Sequence, residues 1–403
     1  MKTPEPSKYN ILYLDSGSGI GGGQRSLLLL LQMLDKHRFT PFVGCLGGSP
    51  FAEEVTKTEA QIIPLALPEA HNKTDKVKRF TFKDLYNDFS QLRVIPQLHR
   101  VVKQHSINLI HANSLAVALL GGIVAKLNGI PILMHKRYAT SYGVLDKICE
   151  KLLNRVILVS EATRWEFASA AKQTLIYNGV DLETFQASQN EVDNLRGELL
   201  SEDMSHVESR GKSPILVGVV TRITPEKGIH ILVKALSELK KINLEETVDV
   251  KLLIVGGPYF QKDHEYLESL KREVTELGVE NSVIFTGFLA DTRVVTSLLD
   301  IVLVPSIIPE ACPRTIIEAM AVGRPVISTP LGGSKELVTP ETGILVPPED
   351  PKAFATAINT LIKDNIKLTK MGDSARQRSE ELFSIQKNMT LTESVYTELL
   401  TLC

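Results

Sequence analysis

Four cysteines in 403 residues, with no Cys-x-x-Cys pair and no clustering of cysteine with histidine, leave this chain without a zinc motif or a disulfide framework. Cys45, Cys149, Cys312 and Cys403 therefore read as reduced and mostly buried. No two aspartates stand two positions apart, so the Asp-x-Asp clamp for a divalent metal is missing and no metal is expected. Long hydrophobic runs are scarce as well. The best candidate for a membrane span, residues 115–134, is interrupted by Lys126, Asn128 and Pro131, and Asn128-Gly129 reads as a helix stop before a strand. Residues 1–10 are polar, carry two prolines and lack the apolar stretch of a secretory signal, so the protein is expected to stay in the cytoplasm.

Net charge is also small, −2, but it is unevenly spread: residues 1–190 hold 22 Lys and Arg against 16 Asp and Glu, and the remainder holds 23 against 31. Much of the basic excess falls between Lys73 and Lys103. Ordinary solvated surface accounts for such a split; so does a basic face that meets an anionic acceptor or the inner face of an anionic membrane. No nucleic-acid partner is expected.

What the chain does have is alternation. Short β-branched or apolar runs at 10–14, 42–46, 108–111, 130–134 and 155–159 predict strands, and the segments 24–34, 114–127 and 162–170 predict helices. After Phe185 the pattern gives way to a polar, charged stretch and then restarts, with strands predicted at 214–220, 250–255, 283–285 and 301–304 and helices at 228–239, 265–277 and 314–322. Buried strands alternating with helices make parallel sheets covered on both faces. The expected organisation is a Rossmann-like domain over 1–186, a linker over 187–213 and a second Rossmann-like domain over 214–384. A terminal helix over 385–403 is expected to pack back on the first domain. Ligands of such sheets bind beyond the carboxyl ends of the strands, where strand order reverses, and two sheets facing each other make a cleft.

The first strand ends in Asp15-Ser-Gly-Ser-Gly-Ile-Gly-Gly-Gly-Gln24, in which Gly17, Gly19 and Gly22 fit Gly-x-Gly-x-x-Gly. A dinucleotide-dependent dehydrogenase would place an acidic residue at the end of the second strand, but that strand ends in Cys45-Leu-Gly-Gly48. What remains is a helix start at which Gly21, Gly22 and Gly23 let backbone N–H groups approach an anion, or a plain tight turn.

In the second half, Thr221-Arg222-Ile-Thr-Pro-Glu-Lys227-Gly228 follows a strand and puts two cations at its mouth. Each would contribute on the order of 4 kcal/mol to a diphosphate at contact distance before desolvation. The strand at 301–304 leads to Glu310 on a loop and Glu318 about a turn into the next helix, so the two carboxylates face different parts of one ligand.

These residues carry a resemblance. Glu310-x7-Glu318 with Glu-Ala-Met-Ala-x-Gly-Arg-Pro-Val-Ile, Arg222 with Lys227-Gly228, Asn178-Gly-Val-Asp181, Gly21-Gly-Gly-Gln-Arg25 and Gly332-Gly-x-x-Glu336 together resemble family 4 of the retaining GT-B glycosyltransferases, over about residues 10–351. The resemblance implies that Arg222 and Lys227 hold the diphosphate of a nucleotide-sugar, that Glu310 contacts the transferred sugar and that Glu318 binds the ribose. It also implies that Gly21–Gly23 lie under phosphates or acceptor, that Gly256 and Gly287 line the donor site, and that His111 contacts the sugar near the reacting carbon. Where many members have Phe-Gly after the first glutamate, this chain has Cys312-Pro313, so Thr315 or Ile316 N–H groups are expected to reach the phosphate. Gln24 stands where Glu is commoner. The expected donor is UDP-glucose or a related sugar, with GDP-mannose behind it. The acceptor is expected to be a saccharide or lipid-linked saccharide, and the reaction metal-independent. A GT-B sugar-nucleotide epimerase and a non-catalytic scaffold are the alternatives.

Overall fold

The computed structural model of the chain describes residues 8–17, 19–67, 93–200, 213–242 and 248–402, so most of the basic stretch between Lys73 and Lys103 lies outside the described residues. The chain divides into two compact units, Met1–Gly179 with Ile385–Cys403, and Val180–Ser384.

The first unit is built on seven parallel strands: β1 (Tyr9–Leu14), β2 (Phe39–Cys45), β3 (Gln61–Pro64), β4 (Leu109–Ala112), β5 (Ile132–Lys136), β6 (Arg155–Leu158) and β7 (Gln173–Leu175), in the order β3-β2-β1-β4-β5-β6-β7. Alternation along β1 supplies both faces. Ile11 and Tyr13 join Leu27, Leu30 and Leu31 of α1 (Gly22–Met33) together with Met389, Tyr396 and Leu399 of the Ile385–Thr401 helix. Leu12 and Leu14 pack instead with Leu98, Val117, Val124 and Cys149 from the helices Val94–Gln104, Leu115–Asn128 and Val144–Leu152. A run apolar at every position from Ile11 to Leu14 is the consequence of this double cover.

The second unit holds β8 (Ile215–Val220), β9 (Val250–Val255), β10 (Val283–Gly287), β11 (Ile301–Val304), β12 (Val326–Ser328) and β13 (Gly343–Leu345), parallel, in the order β10-β9-β8-β11-β12-β13. In each sheet the order reverses once, between β1 and β4 and between β8 and β11.

Two expectations are corrected. Residues 162–170 form no α-helix. The Gln173 side chain accepts from the Trp165 N–H at 2.8 Å and donates to the Trp165 carbonyl at 3.0 Å, and this clamp holds the segment as a loop between two single 3-10 turns. The segment expected as a linker over 187–213 begins with a helix, Gln189–Leu200. Arg293 fastens it to the Thr292–Leu298 helix by donating to Glu191 at 2.6 Å and to the Gln186 carbonyl at 2.7 Å, and the helix keeps a partly buried apolar stripe of Val192, Leu195 and Leu199 with buried Leu200. Among the described residues no helix is long and apolar enough to cross a membrane.

Candidate active site

At the reversal between β8 and β11, the strand ends deliver Thr221 and Arg222 on one side and Pro305 and Ser306 on the other. A pocket there is lined by Thr221, Lys227, Ser306, Glu310, Pro313 and Thr315. Lys227, at the end of a 3-10 turn, donates from Nζ to Glu310 Oε2 at 2.6 Å, and Ser306 Oγ bonds the other carboxylate oxygen. Burial pushes the Glu310 carboxyl up, but the Lys227 charge, the hydrogen bonds from Lys227 and Ser306 and the charge of Arg222 outweigh it and hold the group below the ordinary carboxylate range. Arg222 itself is exposed.

The backbone of Glu310 is fixed from behind. It pairs with Gly332 in a parallel bridge, and its carbonyl accepts from the Gly333 N–H at 2.8 Å. Gly332 has φ +58°, and a Cβ there would stand 2.1 Å from the Glu310 carbonyl oxygen, so the paired glycines allow the two loops to touch.

Glu318, on the Arg314–Ala321 helix, is largely buried and takes a fork from Arg314, with both Nε and Nη2 at 3.0 Å. Thr315 ties the start of that helix to the end of β8 by donating its hydroxyl to the Val220 carbonyl at 2.9 Å. Ile316, in the first turn of that helix, has no exposed side-chain surface, and its N–H donates to the Pro313 carbonyl at 3.2 Å. Gly256 and Gly287 meet each other, the Gly256 N–H donating to the Gly287 carbonyl at 2.9 Å. Gly256, at φ +138°, packs so closely that a Cβ would lie 1.8 Å from the Thr221 carbonyl oxygen.

In the first unit the reversal between β1 and β4 carries a second polar cluster. Asp15, just past β1, accepts from Asn113 Nδ2 at 2.5 Å, from the Gly17 N–H at 2.7 Å and from Gln24 Nε2 at 2.9 Å. Gln24 also accepts from the Gly21 N–H at 3.1 Å, so its amide braces the glycine turn against a carboxylate, which a glutamate could not do without repulsion. Asn113 Oδ1 accepts from Arg137 Nε and Asn178 Oδ1 from Arg137 Nη1, both at 2.6 Å. Gly22 opens α1, and a Cβ on Gly23 would sit 3.3 Å from Arg137 Cδ. Gly21–Gly23, Asp15, Asn113, Arg137 and Asn178 are thus one assembly.

His111 is not part of it. Its ring is fully buried, with Nδ1 2.6 Å from Tyr396 Oη and Nε2 2.7 Å from His135 Nδ1. Burial, and then the charge of Arg137, holds both histidines well below the ordinary imidazole range. With both nitrogens taken inside the sheet, His111 has no atom left for a sugar, and the expectation is corrected. Asn113, two residues on and just past β4, is the side chain that reaches the assembly. Sequence reading passed over Asp15, Asn113, Arg137, Ser306 and Arg314; the first three are polar residues placed directly after buried strands, which was the available signal.

Two doubly wound sheets, each gathering charged and polar groups where its strand order reverses, have the GT-B architecture. Anabaena HepE, solved in complex with UDP-glucose, superposes with a TM-score of 0.77 over 96% of this chain and 99% of its own at 24% identity. The lipopolysaccharide outer core galactosyltransferase WaaB superposes with a TM-score of 0.68 over 97% of this chain and 99% of its own at 16% identity. Residues 20–184 match the family model described as Glycosyltransferase Family 4, and residues 201–378 match Glycosyl transferases group 1. The chain belongs to this glycosyltransferase family, and it is a glycosyltransferase. It is 22% identical to the UDP-Gal:alpha-D-GlcNAc-diphosphoundecaprenol alpha-1,3-galactosyltransferase of Escherichia coli over 98% of each chain. It is 30% identical to spore coat protein SA of Bacillus subtilis over 62% of this chain and 66% of that one.

Proposed function

We propose that the protein is a retaining hexosyltransferase that moves a hexose from a nucleoside diphosphate sugar, UDP-glucose or a related UDP-hexose, to a saccharide or lipid-linked acceptor in polysaccharide or glycolipid assembly. The Lys227–Glu310 pair at the β8/β11 reversal is the observation that carries this reading, because it sets a cation for a diphosphate beside a carboxylate for sugar hydroxyls. Breaking the bond from anomeric carbon to phosphate leaves positive charge on the sugar and negative charge on the diphosphate. Fixed cations suit that change, so Lys227 and Arg222 take the charge and no divalent metal is required. Glu310 orients the sugar and Glu318, freed from or shared with Arg314, holds the ribose, while Thr315, Gly256 and Gly287 shape the floor. The acceptor belongs with Gly21–Gly23, Asn113 and Arg137. Its hydroxyl oxygen forms the new bond to the anomeric carbon on the face the phosphate leaves, and its proton passes to the departing phosphate oxygen. Glu310 and Glu318 each have their own cation, Lys227 and Arg314, unlike the paired carboxyls of a glycosidase.

The named substrates of the Escherichia coli relative and the ligand of the Anabaena structure support a UDP-sugar donor, and the former supports a lipid-linked acceptor. No observation favours an epimerase. Calorimetric titration with UDP, UDP-glucose, GDP and GDP-mannose, with chelator present, tests the reading: UDP compounds should bind, and product anomeric configuration by NMR should match the donor. Failure of every nucleotide to bind at saturation would sink it.

A further inference from the structure

Beyond β5 the chain leaves the carboxyl edge of the first sheet through residues 137–143 and enters the Val144–Leu152 helix. The turn is built around Asp146, which is fully buried and accepts from Tyr138 Oη at 3.0 Å, Ser141 Oγ at 2.9 Å and the Tyr142 N–H at 2.6 Å. Buried Lys136 reinforces it from below by donating to the carbonyls of Thr163 at 2.7 Å and Tyr138 at 3.1 Å. The direction in which this helix faces is therefore fixed by the fold.

Its inward side is Asp146 and Cys149, the latter within the sheet's core. Its outward stripe, at i, i+3, i+4 and i+7, is Val144, Lys147, Ile148 and Lys151, all exposed. A solvent face ordinarily carries polar residues at these positions. Here Val144 is 70% and Ile148 47% exposed, and Tyr142 and Phe167 beside them are 48% and 43% exposed. The Lys147 ammonium lies 5.9 Å from the centre of the Phe167 ring, which joins the helix stripe to that aromatic. Local acidic charge is mostly consumed: Asp146 is buried, Glu150 pairs with Lys172 at 3.3 Å and Glu161 with Arg164 at 2.7 Å, leaving Glu166 exposed next to Phe167.

Aliphatic and aromatic side chains interleaved with lysines, whose stems can lie along apolar surface while the ammonium reaches outward, match the chemistry of a lipid headgroup layer rather than of water. We propose that the face formed by Tyr142, Val144, Lys147, Ile148, Lys151 and Phe167 docks the first unit on an anionic lipid bilayer. The inference deepens the proposed function and rests on its lipid-linked acceptor. The helix begins a short loop after Arg137, so the Tyr142–Val144 end of this face lies at the strand-end edge that carries Gly21–Gly23 and Asn113, and contact there brings a membrane-held acceptor toward those groups.

Co-sedimentation of the full chain with phosphatidylcholine vesicles, with and without phosphatidylglycerol, tests it. The wild type should pellet with the phosphatidylglycerol vesicles and less so at high salt. Val144→Asp with Ile148→Asp should lower partitioning about tenfold or more, and Lys147→Glu with Lys151→Glu should remove the preference for phosphatidylglycerol. UDP titration in solution reports that the variants are folded; absence of UDP binding in the wild type would sink the donor reading and leave the vesicle result standing. Wild type that stays in the supernatant at low salt, or variant pairs that partition like wild type, would overturn the proposal. So would light scattering showing that Val144→Asp with Ile148→Asp dissolves a dimer while vesicle binding is unchanged, because the face would then hold a second copy.

Discussion

Lys227 and Glu310 are 83 residues apart in the chain and 2.6 Å apart in space, Nζ to Oε2, so the cation proposed for the diphosphate and the carboxylate proposed for the sugar are held by each other. A bound donor has to share or replace this contact. Both groups keep about a fifth of their side-chain surface open, which is enough for a ligand to compete.

Lys227→Ala removes the cation and leaves a carboxylate without its principal partner. Loss of one charge-assisted contact of about 1.5–3 kcal/mol corresponds to roughly a 10- to 100-fold fall in UDP affinity, and turnover should fall with it. Calorimetry and initial rates measure the two together. Unchanged turnover would show that the diphosphate is held elsewhere.

Gly332→Ala is expected to act on Glu310 without touching its side chain. The added methyl would meet the Glu310 carbonyl oxygen at 2.1 Å and its nitrogen at 2.8 Å, and φ of +58° adds strain of about 1–3 kcal/mol. Turnover should drop along with the melting temperature. A variant of wild-type activity would mean that the Glu310 backbone position does not matter to the reaction.

Arg137 is gripped by two neutral carboxamides, Asn113 and Asn178, and Asn113 is in turn gripped by Asp15. Asn113→Ala is expected to loosen Arg137 and to lower kcat/KM for the acceptor while UDP affinity stays at the wild-type value, since the donor groups belong to the other unit. A matching loss of UDP affinity would place Asn113 on the donor side and overturn this division.

His111 and His135 give the first unit an acid limit. Both are held neutral in the folded protein, whereas the unfolded chain takes up their protons near pH 6.5, so the unfolded state binds more protons below that value. Their contribution is fully present above about pH 6.5 and is lost as pH falls below it, with stability sloping down toward acid. Urea denaturation between pH 8 and 5 should show this slope, and His111→Gln should flatten it. A wild-type stability that is level across this range would contradict the buried neutral state.

Much of this molecule is legible in its sequence, and the illegible parts have a common cause. Runs such as Ile11–Leu14 and Leu252–Val255, apolar at every position, specify doubly covered parallel strands whatever surrounds them. Strands β3, β7, β12 and β13, of three or four residues each, were not anticipated, because so short a segment becomes a strand only when a neighbouring strand offers its edge. Likewise the sequence determines that Arg222, Lys227, Glu310 and Glu318 follow strand ends or open a helix, since strand, glycine and helix signals bracket them. Tertiary structure alone decided that His111 turns inward to Tyr396, contributed by the far end of the chain, and that Asn113 reaches Asp15 and Arg137 instead. Local patterns encode what a residue prefers to form next to its neighbours in sequence; which distant groups it meets depends on strand order and on the helix that closes over the sheet, and no short window of sequence contains either.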